Sequence, residues 1–124
     1  MGENKGYIRN TDERGSVNIS EEVVAVISAA AAIEVEGVYG LSASPGKELT
    51  SMISRKGLSK GVKLCIDEND VTIDVHIIAE MGFSVNEVGE NVQRAVISAV
   101  EAAVGITVGE VNVHICGVSL KGKA

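Results

Sequence analysis

Aromatic side chains are nearly missing: in 124 residues there is no Trp, and only Tyr7, Tyr39 and Phe83 carry an aromatic ring. Sites for single-stranded nucleic acid are built on stacked aromatics, so that class loses its usual platform. Cysteine is almost as sparse. Cys65 and Cys116 form no CxxC pair, which excludes a disulfide scaffold and the usual local spacing of zinc ligands. No long apolar run is present either. Residues 23–33 are nearly all apolar, but Glu22 and Glu34 bracket a run of only 11, where a membrane span takes roughly 18 to 20. The start, MGENKGYIRN, lacks the apolar stretch of a secretory signal, so the chain is expected to be cytoplasmic. Basic charge is also short, with 11 Lys and Arg against 17 Asp and Glu and a net charge of −6. A general binder of nucleic acid or anionic membrane needs the opposite balance.

What is abundant is branched aliphatic side chain, 19 Val and 12 Ile against 5 Leu. Such residues favour pleated surfaces, so a sheet with an aliphatic core is expected. The length suits one domain. The charge is polarised: between Lys47 and Lys63 stand five basic residues and one acid, Glu48, a local +4 inside an acidic chain.

Residues 1–13 are polar and read as a flexible tail; 14–118 form the domain, and 119–124 a short C-terminal tail. Residues 15–19 (GSVNI) predict a strand ended by Ser20, which sits at a helix N-cap. Glu21 and Glu22 complement the helix dipole, and Ile19 with Val24 occupy the two positions of a hydrophobic staple. A helix is predicted over 21–34. Residues 35–41 allow a strand, SASPGK a turn, 47–56 a weak helix and 55–61 a basic loop.

Residues 62–66 and 71–77 both alternate, with four turn-forming residues between them, and predict a β-hairpin. Val62, Leu64 and Ile66 share a face with Val71, Ile73 and Val75 only if paired numbers sum to an odd value. A two-residue turn at 68–69 gives 137, pairing Ile66 with Val71 and Lys63 with Asp74. The second helix is announced by Ser84 and Glu87 as a capping box and by Phe83 and Val88 as a staple. Its predicted apolar stripe is Val85, Val88, Val92, Ala95, Ala99 and Ala102, widened by Val96 and Val100, and Gly105 stops it. Residues 110–118 supply a last strand. The pentapeptide AVISA recurs at 25–29 and 95–99, but the two caps are offset by 64 rather than 70, which argues against an internal repeat. The fold class predicted is α+β, a small mixed sheet of three to five strands with two main helices on one face.

With one face of the strands buried, the opposite face carries Lys63, Cys65, Thr72, Asp74, His76, Asn112, His114 and Cys116. Cys65, His76, His114 and Cys116 are therefore candidate ligands of a soft metal, or a redox pair with histidines beside it; an open antiparallel face is otherwise a polar, solvated surface. Lys47, Arg55, Lys56, Lys60 and Lys63 are candidates for contact with an anion or an acidic partner. GLSASPGK at 40–47 has five residues between its glycines where a phosphate loop has four, and Glu48 stands where Ser or Thr belongs. GLSKG at 57–61 is one residue too long for a GxxG clamp. No nucleophile and base are paired by spacing, so no catalytic residue and no cofactor are expected.

Taken in order, GSVNISEEVV, EVEGVYGL, KGVKL, VTIDVHI, the glycine before a capped helix, NVQRAVISAVE and EVNVHICGV resemble the bacterial alkaline shock protein family, the general stress proteins of Gram-positive bacteria. The resemblance covers about residues 15–118. It implies a non-enzymatic interaction or scaffold protein of the envelope and alkaline stress response. It also implies protein partners, among them an integral membrane protein that holds it at the cytoplasmic face, and self-association, with no direct membrane insertion. Met81 stands where the family commonly has Tyr. Two further readings of the residues remain beside this one: an anion-binding module using 47–63, and a metal or redox sensor on the open sheet face.

Overall fold

In the computed structural model, which describes residues 7–42, 61–67 and 70–120, the organising element is one long strand. The elements in chain order are β1 (Tyr7–Asp12), β2 (Gly15–Ser20), α1 (Glu21–Ile33), β3 (Val38–Leu41), β4 (Val62–Asp67), β5 (Asp70–Glu80), α2 (Val85–Val104) and β6 (Glu110–Ser119). Along β5, burial alternates strictly from Val71 onwards. Val71, Ile73, Val75, Ile77 and Ala79 face the helices and are closed to solvent, while Thr72, Asp74, His76, Ile78 and Glu80 face the other way. Burying such side chains contributes roughly 1.5–3 kcal/mol each for Val and Ile.

Two strands share one edge of β5. β4 pairs with its first half and β3 with its second, both antiparallel. The seam is at His76, whose N–H donates to the Gly61 carbonyl and whose carbonyl accepts from the Ser42 N–H, each at 2.8 Å. β6 runs parallel to β5 along the opposite edge, from Thr72 opposite Glu110 to Glu80 opposite Ser119. A parallel partner requires a crossover, and α2 supplies it. The sheet is therefore mixed, as the sequence predicts. The β4–β5 register, Val62 opposite Val75 through Ile66 opposite Val71, is the predicted sum of 137; turn residues 68–69 lie outside the described residues.

Both helix caps are where the sequence puts them. The Ser20 and Ser84 hydroxyls accept from the N–H groups of Val23 and Glu87, each at 3.4 Å, and Gly105 ends α2 at φ +82°. α1 buries Val24, Ala25, Ser28, Ala29 and Ala32, small residues that allow close approach by α2. The buried Ser28 hydroxyl is satisfied by the Val24 carbonyl at 2.8 Å.

Three sequence expectations need correction. Residues 7–12, assigned to the flexible tail, form β1, paired with β2 from Tyr7 opposite Ser20 to Asp12 opposite Gly15. Hydrogen bonds between backbones need no apolar pattern, so a polar hairpin leaves little trace in composition. β6 extends to Ser119, one residue into the predicted C-terminal tail. The buried stripe of α2 is also rotated: Val88, Val92, Val96, Val100 and Val104 are buried, whereas Val85 is 41% exposed and Ala102 is exposed. The bulky valines form a ridge at four-residue spacing and take the interface, displacing the alanines to its margin.

Candidate functional site

The open face of the sheet brings chemistry-bearing residues into rows, because cross-strand partners in β4, β5 and β6 have side chains on the same side. The first row is Cys65, Thr72 and Glu110; the second Lys63, Asp74 and Asn112; the third His76 and His114. All the predicted open-face residues do face this side or its margin.

Asp74 is the centre of the contacts. Its Oδ1 accepts from Asn112 Nδ2 at 3.1 Å and lies 3.3 Å from His114 Nε2. The Asn112 hydrogen bond, then the hydrogen bond and charge of His114, hold the Asp74 carboxyl below its usual value of 3.8, against an opposing effect of partial burial; His76 adds a smaller attraction. The side chains of His114 and Asp74 are 49% and 35% exposed, so water screens these charges. His76 stacks on His114, ring centroids 4.5 Å apart and planes inclined by 15°, and its Nδ1 lies 3.3 Å from the Gly61 carbonyl.

The cysteines do not join this cluster. Cys65 is opposite Thr72, at one end of the face. Cys116 is the extra residue of a bulge in β6, between the pairs Ile77–Ile115 and Ile78–Gly117, at the other end. The separation is about 18 Å along the strands plus two strand spacings, far beyond the roughly 7 Å that a disulfide spans between Cα atoms. Cys116 Sγ instead donates to the His114 carbonyl at 3.7 Å. Among the described residues no three His, Cys, Asp or Glu side chains group as metal ligands would. The four candidate ligands thus do not converge: the two histidines meet, Cys116 turns its thiol to the His114 backbone, and Cys65 stands at the far end of the face beside Thr72.

Of the basic candidates, Lys47, Arg55, Lys56 and Lys60 lie outside the described residues. Lys63 is exposed on β4 and lines an open groove of about 420 Å³ with Glu21, Glu22, Ala25, Val62 and Leu64. Sequence reasoning missed two features: the Asn112–Asp74 bond, and the apolar end of the sheet where Met81, Phe83, Val118 and Leu120 are exposed. The first depends on a register between residues 38 apart; the second was readable as Met and Phe placed in a turn. No helix among the described residues is long and apolar enough to cross a membrane.

Residues 9–120 match the model of the alkaline shock protein 23 family, described as having a cell envelope-related function. An uncharacterized protein of Bacillus subtilis (strain 168), YloU, is 31% identical over 106 residues, covering 84% of this chain and 88% of the relative. Another, Spy1535 of Streptococcus pyogenes serotype M6, is 33% identical over 109 residues, covering 87% and 82%. Among solved structures, a chain of MamM CTD superposes with a TM-score of 0.49 at 18% identity, covering 77% of this chain and 95% of that one. With nearly all of its described residues inside the family match, this chain belongs to the alkaline shock protein 23 family, whose function is related to the cell envelope.

Proposed function

We propose that the domain is a non-enzymatic interaction or scaffold protein of the bacterial envelope and alkaline stress response, recruited to the cytoplasmic face of the membrane by an integral membrane partner. The observation that carries this reading is the envelope-related family match over residues 9–120. The geometry of the open face supports it. Thr72, Asp74, His76, Asn112 and His114 lie in rows across a sheet, a shape that meets another protein surface over many contacts rather than enclosing a small molecule. Asp74 is held ionised by Asn112 and His114, so the face presents a fixed carboxylate beside two imidazoles, a patterned polar surface suited to specificity.

Fractionation of cells carrying the tagged full chain, followed by mild-detergent extraction and affinity capture, tests the reading. The protein is expected in the membrane fraction together with one stoichiometric integral membrane protein, and to be released by high salt or by deletion of that partner. A protein found wholly in the soluble fraction, with no stoichiometric partner under envelope stress, contradicts the proposal.

A further inference from the structure

We propose that the outer edge of β4, where it lines the groove beside the first turns of α1, is the docking site for an extended segment of a partner protein. The segment adds as a further strand and carries Lys or Arg toward Glu21 and Glu22. The inference rests on reading the domain as a protein-contact module and names the chemistry of one contact.

The backbone directions follow from the hydrogen bonds of the sheet. The His76 N–H donates to the Gly61 carbonyl at 2.8 Å, and beyond Gly61 the antiparallel register continues through Lys63 opposite Asp74 and Cys65 opposite Thr72. In such a ladder alternate residues bond to the neighbouring strand. Gly61, Lys63 and Cys65 therefore direct their N–H and carbonyl groups to β5, and Val62, Leu64 and Ile66 direct theirs away from it. No strand among the described residues pairs with that outer side. An edge of this kind is a template on which an extended peptide can pair.

The groove lies along the same edge. About 420 Å³ in volume, it is bounded by Val62, Lys63 and Leu64 of β4 and by Glu21, Glu22 and Ala25 of α1. A strand added to β4 sits about 4.8 Å from it, and its side chains alternate between the two faces of the sheet. Those on the side of Val62 and Leu64 enter the groove toward α1. Those on the other side extend the row that holds Lys63 and Cys65, so the added strand enlarges the open face rather than competing with it.

Charge selects the side chains that enter the groove. Glu21 and Glu22 are exposed, and among the described residues no ion pair engages either. The N-terminus of α1 sets only about half a positive charge against their two negative ones. Lys or Arg suits this place: the aliphatic stem covers Ala25 and Leu64 while the charged head reaches the carboxylates. The net charge of −6 favours the approach of a basic segment in the same sense.

The test is selection of a phage-displayed library of random decapeptides on the full chain, followed by synthesis of an enriched peptide. Enriched sequences are expected to lack Pro and to carry Lys or Arg two residues apart, and the peptide should protect the Val62 and Leu64 amides from exchange. Glu21→Gln combined with Glu22→Gln should weaken binding about fivefold, the scale of two exposed ion pairs. N-methylation of one alternate set of peptide amides should weaken it at least about tenfold, and of the other set hardly at all, because only one set faces β4 and the charges are unchanged. Circular dichroism checks that the double variant is folded; the two methylated peptides, measured on wild-type protein, decide the matter if it is not. A library that yields no enrichment, or peptides without Lys or Arg, overturns the proposal. So does binding that the double variant leaves unchanged, or equal effects of the two methylated sets. Val62 and Leu64 amides already protected before peptide is added also overturn it: protection independent of protein concentration assigns the edge to the chain's own residues, and protection that grows with concentration assigns it to a second copy. Membrane-partner capture is scored separately on the wild-type chain. A captured partner without peptide binding removes the groove alone, and peptide binding without a captured partner removes the scaffold reading alone.

Discussion

The imidazoles of His76 and His114 stack across the β5–β6 pair with ring centroids 4.5 Å apart, although 38 residues separate them in the chain. The parallel register puts them side by side, and the same register sets Asn112 beside Asp74. One carboxylate thereby serves a neighbour in its own row and an imidazole in the next.

Asp74 makes stability depend on pH in one direction. Its folded carboxyl binds a proton less tightly than in the unfolded chain, through the Asn112 bond first and His114 second. The stabilisation is therefore complete above the ordinary value of 3.8 and is lost as pH falls through the lower folded value. Carbonyl chemical shifts followed by NMR should give an Asp74 midpoint below 3.8. In Asn112→Ala the midpoint should move upward. Asp74→Asn should flatten the acid limb of the stability curve, and an unchanged limb would remove Asp74 as its source.

Gly37 is a backbone requirement of the core. It has φ +96°, and a Cβ there would lie 2.6 Å from Val88 Cγ2 and 3.1 Å from the Phe83 ring. Gly37→Ala is expected to cost about 2–4 kcal/mol, combining backbone strain with overpacking. Gly105 also has a positive φ but opens to space, so Gly105→Ala should cost only about 1 kcal/mol. Chemical denaturation of the two variants measures the difference; equal losses would show that the contact with Val88 and Phe83 carries no weight.

What the sequence made legible was local or set by strict periodicity. Ser20 and Ser84 cap their helices because side-chain capping involves residues three apart, and the β4–β5 register follows from which faces of Val62 to Ile66 and Val71 to Val75 are apolar. Long-range placement was less legible. Nothing in 110–118 signals whether that strand runs parallel or antiparallel, and the bulge at Cys116 has no glycine or proline signature of its own beyond Gly117. The four Cys and His residues share a face by parity, as the alternation indicates, but parity says nothing of distance along the strands. For that reason the histidines meet and the cysteines do not. The rotation of the α2 stripe toward Val104 reflects side-chain volume, which a count of apolar positions does not weigh.

The account rests on the open face of β4, β5 and β6 being a surface for protein contact. The most direct measurement is in-cell photocrosslinking, with a photoreactive residue placed singly at Cys65, Thr72 or His76 on that face, and at Glu90 or Arg94 on the exposed side of α2 as controls. The account predicts a discrete adduct with one integral membrane protein from the open-face positions and none from the controls. Adducts from α2 alone, or the same diffuse labelling from every position, would contradict it.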